Sequence, residues 1–555
     1  MSQTDKRHIL TINAEDYFQV GAFKNIIPTE HWDRFETRIQ QNIEKSLQLL
    51  EDTANTATFF VSGWVATSYP HLIRGIVEAG HEVSCSGFYH QSLRNVSEET
   101  FRKDLRRSKE AVELATRRAV NGFRVGRGRI TPEQCWVLDT LVQEGFLYDS
   151  SVMPIGREFA NSPNWAKLHL HETQQGQIWE VPPSTCRIGG LSIPFFGGNY
   201  IRQLPMAFSK RVTKNWLATQ NTPLVMYFHI WELDTNQPTI SGAKWLQSVR
   251  HYRNLNLMQE KIRYFLEQLQ FSSVENILDL ARSEPANSNR LLATSEIENN
   301  KRQPSQPKTR MSVIVPCYNE EASLDYLART LANFTDSSER LSFEFVFVDD
   351  GSDDDTSKKL HELFGSKDDA IIVQHENNKG IAAAILTGSQ AASADYLAVI
   401  DADCTFDPMQ LNDMFDQMRS DCVAICASPF HESGLVSNVP KWRLTLSKGA
   451  AFLYSCVLNH KFSSYTSCFR IYRREALEAM ELRFGGFCGV AEILAQLDLG
   501  GHKLQECSAQ LQSRVLGSSK IKLFSTILNH LELVARIALA RWFKIPLSNT
   551  QKVGP

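Results

Sequence analysis

Tyr396-Leu397-Ala398-Val399-Ile400-Asp401-Ala402-Asp403 joins five strand-forming residues to two carboxylates that flank a small residue. An apolar run of this length, closed by acid, predicts a buried strand of a parallel sheet that delivers charge at its carboxyl end. Strand alternation would point Asp401 and Asp403 the same way, about 7 Å apart, close enough to share one cation. A hard ion such as Mg²⁺ or Mn²⁺ prefers carboxylate oxygen and keeps sites for phosphate, so the pair suits a metal that holds a diphosphate. A solvated Asp-rich turn has the same composition, and the neighbouring segments must decide between the two.

Upstream, strand patterns at Ser312 to Val315, Phe343 to Val348 and Ile371 to Gln374 alternate with helical patterns at Ala322 to Phe334 and Gly380 to Ala391. Strand and helix in turn predict a doubly wound α/β sheet, whose ligands bind beyond the carboxyl ends of the strands. Three strands end in polar loops there: Pro316-Cys317-Tyr318-Asn319-Glu320, Asp349-Asp350-Gly351-Ser352 and the Asp401 triplet. Carboxylates gathered from separate strands repel unless they bind cations or donors. Asn378-Lys379-Gly380 adds a cation and a flexible turn before a helix N-terminus, suited to an anionic ligand.

The chain has 555 residues, enough for two or three domains. Its 59 basic and 62 acidic residues balance, so no global field favours nucleic acid. Eleven cysteines without a C-x-x-C pair predict reduced thiols and a cytoplasmic setting, and the N-terminus lacks the apolar region of an export signal. A polar stretch, residues 283–309, divides a first domain (1–282) from a second (310–520), with an amphipathic tail beyond (521–555). Within 521–543, apolar residues recur at helical spacing but Glu532 and Arg536 interrupt the middle. Such a helix lies on a surface, either that of its own domain or the inner face of the cell membrane. In the first domain, short runs (His8 to Ile12, Ala57 to Val61, Leu224 to His229) alternate with helices such as Ser97 to Arg118, predicting a closed or partly closed α/β barrel.

VIVPCYNEE, FVDDGSDDDT, NNKGIAAAILTG and VIDAD, in this order, resemble the family-2 glycosyltransferases of GT-A fold, most closely their dolichyl-phosphate mannosyltransferase-like branch. The resemblance implies inverting transfer of a sugar from a nucleotide-sugar donor, with Pro316, Tyr318, Glu320, Asp349, Asp350 and Lys379 holding the donor. It makes Asp401 and Asp403 the Mg²⁺ or Mn²⁺ ligands, Asp403 acting in catalysis. Arg443 and Ser447 in PKWRLTLSK, Ser467 and Arg470 in TSCFRIYRR, and Arg514, Ser519 and Lys520 in SRVLGSSK match positions that gather around a lipid-phosphate acceptor. Glu492 is the candidate base where a glycan hydroxyl accepts instead. Three residues depart from the branch: Thr405 stands for a glutamine, Cys468 for a glycine, and Ser464 where an acid is common.

NAEDYFQVGAF, ATFFVSGWVA, GHEVSCSGFYH, FRVGRG, YDSSVMP, WEVPPST and YFHIWELD resemble, in order, the polysaccharide deacetylases of the exopolysaccharide-locus branch. That resemblance implies a distorted (β/α) barrel and a zinc esterase whose ligands are an aspartate and two histidines. Asp16 and His90 match two ligands, Glu15 the base and His229 the acid, while Ser86 stands where the first ligand histidine belongs and Gly126 replaces the proline of R-x-P. Two ligands hold a catalytic zinc poorly. The domain reads as a deacetylase fold that has lost its metal chemistry and is kept as a glycan-binding or scaffold module, with Trp64, Trp179, Trp231 and Tyr200 available for stacking on sugars. The alternatives are an altered hydrolase, making the chain a bifunctional deacetylase and transferase, and a purely structural partner. The expected whole is a membrane-peripheral transferase of polysaccharide or cell-envelope biosynthesis; against it stands a non-catalytic scaffold.

Overall fold

The computed structural model describes residues 6–90, 92–155, 163–188, 191–280, 308–437, 439–478, 480–517 and 523–544. Two compact units emerge, the chain passing from one to the other between the described residues Leu280 and Lys308, with Glu30–Glu36 and Thr239–Gly242 grouped with the second unit. Most of the 283–309 segment lies outside the described residues, as does Lys520.

In the first unit, β1 (His8–Ala14), β2 (Thr58–Val61), β3 (Glu82–Cys85), β4 (Gly122–Phe123), β5 (Tyr148–Asp149), β6 (His169–Thr173), β7 (Gly176–Glu180), β8 (Val225–His229) and β9 (Phe271–Ser272) form one sheet. Its order is β8-β1-β2-β3-β4-β5-β7-β6, with β9 beside β1, and it is parallel except for the β6–β7 hairpin. Among the described residues no pairing joins β8 to β6, so the barrel stays open along that seam. Runs such as Thr58–Val61 are buried at every position because helices cover them, as a parallel sheet requires.

The second unit holds β10 (Thr309–Cys317), β11 (Leu341–Asp349), β12 (Ala370–Gln374), β13 (Tyr396–Val399), β14 (Ala424–Ser428), β15 (Arg470–Arg473) and β16 (Leu504–Ser508). Their order is β12-β11-β10-β13-β15-β14-β16, with β15 antiparallel to both neighbours. Alternation sends Met311, Val313 and Val315 into one core with Leu324 and Leu331, and Ile314 into another with Ile385 and Ile493. Two apolar faces with helices on both sides make the doubly wound sheet that the alternating pattern predicts.

Helix Leu523–Phe543 belongs to this second unit. Leu533 and Ile537 are fully buried in its core, and Tyr454 and His530 share a 2.7 Å hydrogen bond that ties it to helix Lys441–Val457. Between them the two helices still expose Trp442, Phe452, Leu528, Leu531, Trp542 and Phe543. No helix among the described residues is long and apolar enough to cross a membrane.

Candidate active sites

Parallel pairing sets the depth at which each acidic loop leaves the sheet. Asp349 pairs with Cys317, and Ile400 continues the ladder by donating to Ile314, so the three loops emerge along one edge. Asp401 and Asp403 do meet, though by a turn rather than by strand alternation. β13 ends at Val399, Cys404 N–H donates to the Asp401 carbonyl at 3.0 Å, and Cys404 takes a left-handed φ of 52°. Burial, with Asp403 alongside, raises the Asp401 carboxyl to about 7. A carboxyl so raised lacks a full countercharge, and the hard oxygen donors of Asp401 and Asp403 fit Mg²⁺ or Mn²⁺.

Part of that countercharge comes from Arg514. Its Nε donates to Asp403 Oδ2 at 2.6 Å, and its Nη1 and Nη2 donate to the two Glu320 oxygens at 3.1 and 2.8 Å. Asp403 and Glu320 hold the guanidinium above its ordinary value despite its burial. Arg514, expected at the acceptor phosphate, therefore sits on Asp403 and Glu320. Its loop is more than a hundred residues from either partner, and no local pattern announces the contact.

Beside this cluster, Tyr318, Gly351, Ser352, Asp353, His375 and Asn378 line a cleft of about 500 Å³. Asp350 is buried under it. One oxygen accepts from His375 Nδ1 at 2.7 Å and Lys379 N–H at 2.9 Å, and the other from Gly380 N–H at 2.7 Å. Asp350 thus shapes the cleft's floor and pins the loop carrying Lys379, whose side chain is exposed. Asp349 caps Ser352 through one oxygen, while the other is buried without a protein partner. Pro316 is half-buried at the end of β10. His375 was not foreseen; a lone histidine after a strand carries no signal of its own.

The pinned loop interlocks with a second glycine pair. A side chain at Gly485 would meet the Lys379 carbonyl at 1.9 Å, and Ala382 N–H donates to the Gly485 carbonyl at 2.7 Å. Glu492, the candidate base, holds this second loop: it accepts from Arg483 and Phe484 N–H at 3.1 and 3.0 Å and is 2% exposed. Burial raises its carboxyl. Its lone pairs are committed to the backbone, so the base assignment is corrected to a loop anchor.

The acceptor set separates. Arg470 is fully buried, donating to Tyr472 Oη, the Val490 carbonyl and the Tyr465 carbonyl at 3.0, 2.7 and 2.7 Å. A guanidinium so enclosed cannot reach a phosphate, and its expected role is withdrawn. Ser467 Oγ caps Phe469 N–H at 3.3 Å. Arg443 is exposed beside Trp442 on helix Lys441–Val457, with half-buried Ser447 one turn on.

In the first unit, Asp16 is engaged by its own surroundings. Asp16 accepts from Tyr17 N–H, Thr37 Oγ and Arg38 N–H at 2.9, 2.9 and 2.7 Å, and it is fully buried where helix Ile39–Asp52 begins. Burial raises its carboxyl to about 7. Among the described residues no three His, Cys, Asp or Glu side chains converge as a metal centre. Asp16 and His90 thus belong to no three-residue ligand cluster among the described residues, the number a catalytic zinc normally takes from the protein.

What converges instead is Glu15 between two imidazoles. Its Oε1 lies 2.6 Å from His229 Nδ1 and its Oε2 3.3 Å from His90 Nδ1. Burial would push the Glu15 carboxyl up, but His229, with His90 and Trp231, brings it below its usual range; His229 is raised in return. His90, more deeply enclosed, is pulled down to about 4 by burial. Trp231 stacks on His251 at 4.1 Å between ring centroids and is 6% exposed, which removes it as a sugar platform.

Three family models match successive parts of the chain: polysaccharide deacetylase over residues 32–142, a domain of unknown function over 150–279, and glycosyl transferase family 2 over 312–480. The second part is similar to a dolichol-phosphate mannosyltransferase of Pyrococcus furiosus, 31% identical over 235 residues, 42% of this chain and 64% of that protein. This chain thus spans under two thirds of that relative's length. It is also similar to a polyprenol monophosphomannose synthase of Mycolicibacterium smegmatis, 29% identical across 39% of this chain and 82% of that one. A crystal structure of a putative polysaccharide deacetylase from Mycobacterium smegmatis aligns at a TM-score of 0.34 and 20% identity, covering 50% of this chain and 91% of that one.

Proposed function

For a chain that joins a polysaccharide deacetylase domain to a glycosyl transferase family 2 domain, we propose that the second unit transfers a sugar, with inversion, from a nucleotide donor to a phosphate-bearing lipid. One observation carries this reading: Asp401, Asp403 and Glu320 gather at the sheet edge around a single guanidinium, beside a cleft of about 500 Å³. Such a cluster is costly to assemble unless it handles cations and phosphate.

Tyr318 and Asp353 in the cleft wall are placed to receive the nucleoside, and Asp350 keeps the Lys379 loop in position beside it. Asp401 and Asp403 would hold Mg²⁺ or Mn²⁺. When bound, that ion neutralises the donor's diphosphate and eases departure of the nucleotide. An acceptor phosphate is already an anionic nucleophile, so the loss of Glu492 as a base leaves the reaction without a gap. The similarity to polyprenol-phosphate enzymes supports that acceptor class.

Lipid acceptors place the enzyme at a membrane, and helices Lys441–Val457 and Leu523–Phe543 supply the surface. Trp442, Leu446, Phe452, Leu528, Trp542 and Phe543 are exposed, with Arg443 and Lys448 among them, a composition suited to the headgroup boundary of an anionic bilayer.

The test uses the full chain, Mn²⁺, radiolabelled guanosine- and uridine-diphosphate hexoses and a polyprenyl phosphate in detergent. Label passing to the lipid, and at least ~100-fold less of it in Asp403→Ala, is the expected result. Equal transfer by Asp403→Ala would remove the proposed metal site, and no transfer from any donor would remove the reaction.

A further inference from the structure

Two departures from the deacetylase pattern, Ser86 for a histidine and Gly126 for a proline, border the same side chain. Ser86 Oγ lies 3.5 Å from His90 Nε2, and His90 Nδ1 lies 3.3 Å from Glu15 Oε2. A side chain at position 126 would come within 2.5 Å of the His90 ring, so the glycine is what admits the imidazole. His90 itself holds a left-handed φ of 52°, a conformation a non-glycine residue adopts only under constraint. That φ and the one at Gly87, 76°, fold the 86–90 loop back so that its first and last residues face each other. Decay of a zinc site gives no reason for the second substitution to fit the ring that the first one faces.

We propose that Ser86, His90 and Glu15 form a metal-independent acyl-ester hydrolase site in the first unit, with Ser86 the nucleophile, His90 the base and Glu15 the group that orients His90. The order hydroxyl, imidazole, carboxylate is the arrangement by which a neutral hydroxyl becomes nucleophilic, and its hydrogen bonds commonly tighten only when substrate is present. Glu15 is itself fixed from the far side by His229 at 2.6 Å and by Trp231 Nε1 at 3.4 Å. His229 is part-exposed, whereas Ser86 and His90 are buried.

The chemistry balances without a metal. As Ser86 Oγ bonds to the acyl carbon, its proton passes to His90 Nε2; the ester C–O bond breaks and the departing alkoxide takes that proton. Water then attacks the acyl-serine, giving its proton to His90, which returns it to Ser86 Oγ as the acid leaves. Esters suit the site better than amides, since an alkoxide leaves more readily than an amide anion. Small O-acyl groups on carbohydrate are the substrate class, and only the carbohydrate part of that statement rests on the transferase reading.

The experiment treats the full chain with EDTA, then with a fluorophosphonate probe, and follows p-nitrophenyl acetate hydrolysis in parallel. Ser86 should carry the phosphonyl adduct in the peptide mass spectrum. Ser86→Ala should lose the adduct and hydrolyse ~100-fold or more slowly while keeping its melting temperature and its sugar transfer. Glu15→Gln should lower kcat with little change in KM, the signature of a positioning residue, whereas a structural role would move stability instead. Hydrolysis that appears only when Zn²⁺ is restored, an adduct elsewhere, or no adduct with background hydrolysis would each overturn the assignment.

Discussion

Arg514 Nε donates to Asp403 Oδ2 at 2.6 Å, while the same guanidinium grips Glu320 through both remaining nitrogens. An internal cation thus stands where a divalent ion would neutralise the same carboxylates. Anything that binds Asp403 must displace a partner already there, and by linkage the displaced guanidinium becomes available to an anion. For Arg514→Gln we expect Mn²⁺ to bind the ligand-free protein ~10-fold more tightly by calorimetry, with sugar transfer lowered. Weaker Mn²⁺ binding in this variant would show that the guanidinium supports the metal site instead of competing for it.

With Asp401 as a metal ligand, its raised carboxyl would set the pH at which the metal binds. Its folded value is about 7, above the ordinary carboxylate range, because burial and Asp403 disfavour the charge. The sign follows: this group favours the folded state fully below the usual carboxylate range and loses that contribution as pH rises through 7. Metal binding demands the ionised form and so runs the other way. The apparent Mn²⁺ affinity should fall ~10-fold between pH 8 and pH 6. The Mn²⁺-induced rise in melting temperature should shrink over the same range, and an affinity flat across it would refute the assignment of Asp401.

Asp350 offers a test of the cleft without touching the metal. Its carboxylate accepts from two backbone N–H groups and from His375, and both side chains are buried. Removing it in Asp350→Ala leaves those donors unsatisfied, at ~1–3 kcal/mol each for a buried group. The variant should melt lower, and donor KM should rise more than kcat falls, since the loop that carries Lys379 is no longer pinned. An unchanged KM would place the nucleotide elsewhere.

Much of the second unit is legible in its sequence because its signals are local. Apolar runs of four to six residues, followed by polar loops, mark strand ends, and the order of strand and helix dictates where those ends meet. Charge alone says less, because its meaning depends on distant partners. Arg470 and Arg443 look alike in sequence, yet one is sealed behind Tyr472 and Tyr465 and the other lies open. Glu492 reads as a base until the Phe484 N–H that it caps is known. Asp16 reads as a zinc ligand until Thr37 and Arg38, about twenty residues on, return to donate to its Oδ2. In each case a polar group's role depends on hydrogen-bond partners brought to it by tertiary structure, which no spacing rule encodes.

The exposed face of helices Lys441–Val457 and Leu523–Phe543 gives the last prediction. Phe452, Leu528, Trp542 and Phe543 are each more than half exposed, on two helices joined through Tyr454 and His530 and through Arg541 and the Val457 carbonyl. Inserting such side chains into the headgroup boundary is worth roughly 1 kcal/mol or more apiece, so two acidic replacements should weaken partitioning at least ~10-fold. The double variant Leu528→Glu, Trp542→Glu should therefore leave the pellet when sedimented with phosphatidylglycerol vesicles, while the parent chain stays with them. Both positions lie on the outer face, away from Leu533 and Ile537, so the melting temperature should hold. Parent protein that remains in the supernatant would assign the face to another occupant, and a variant that still pellets would move the contact away from these helices.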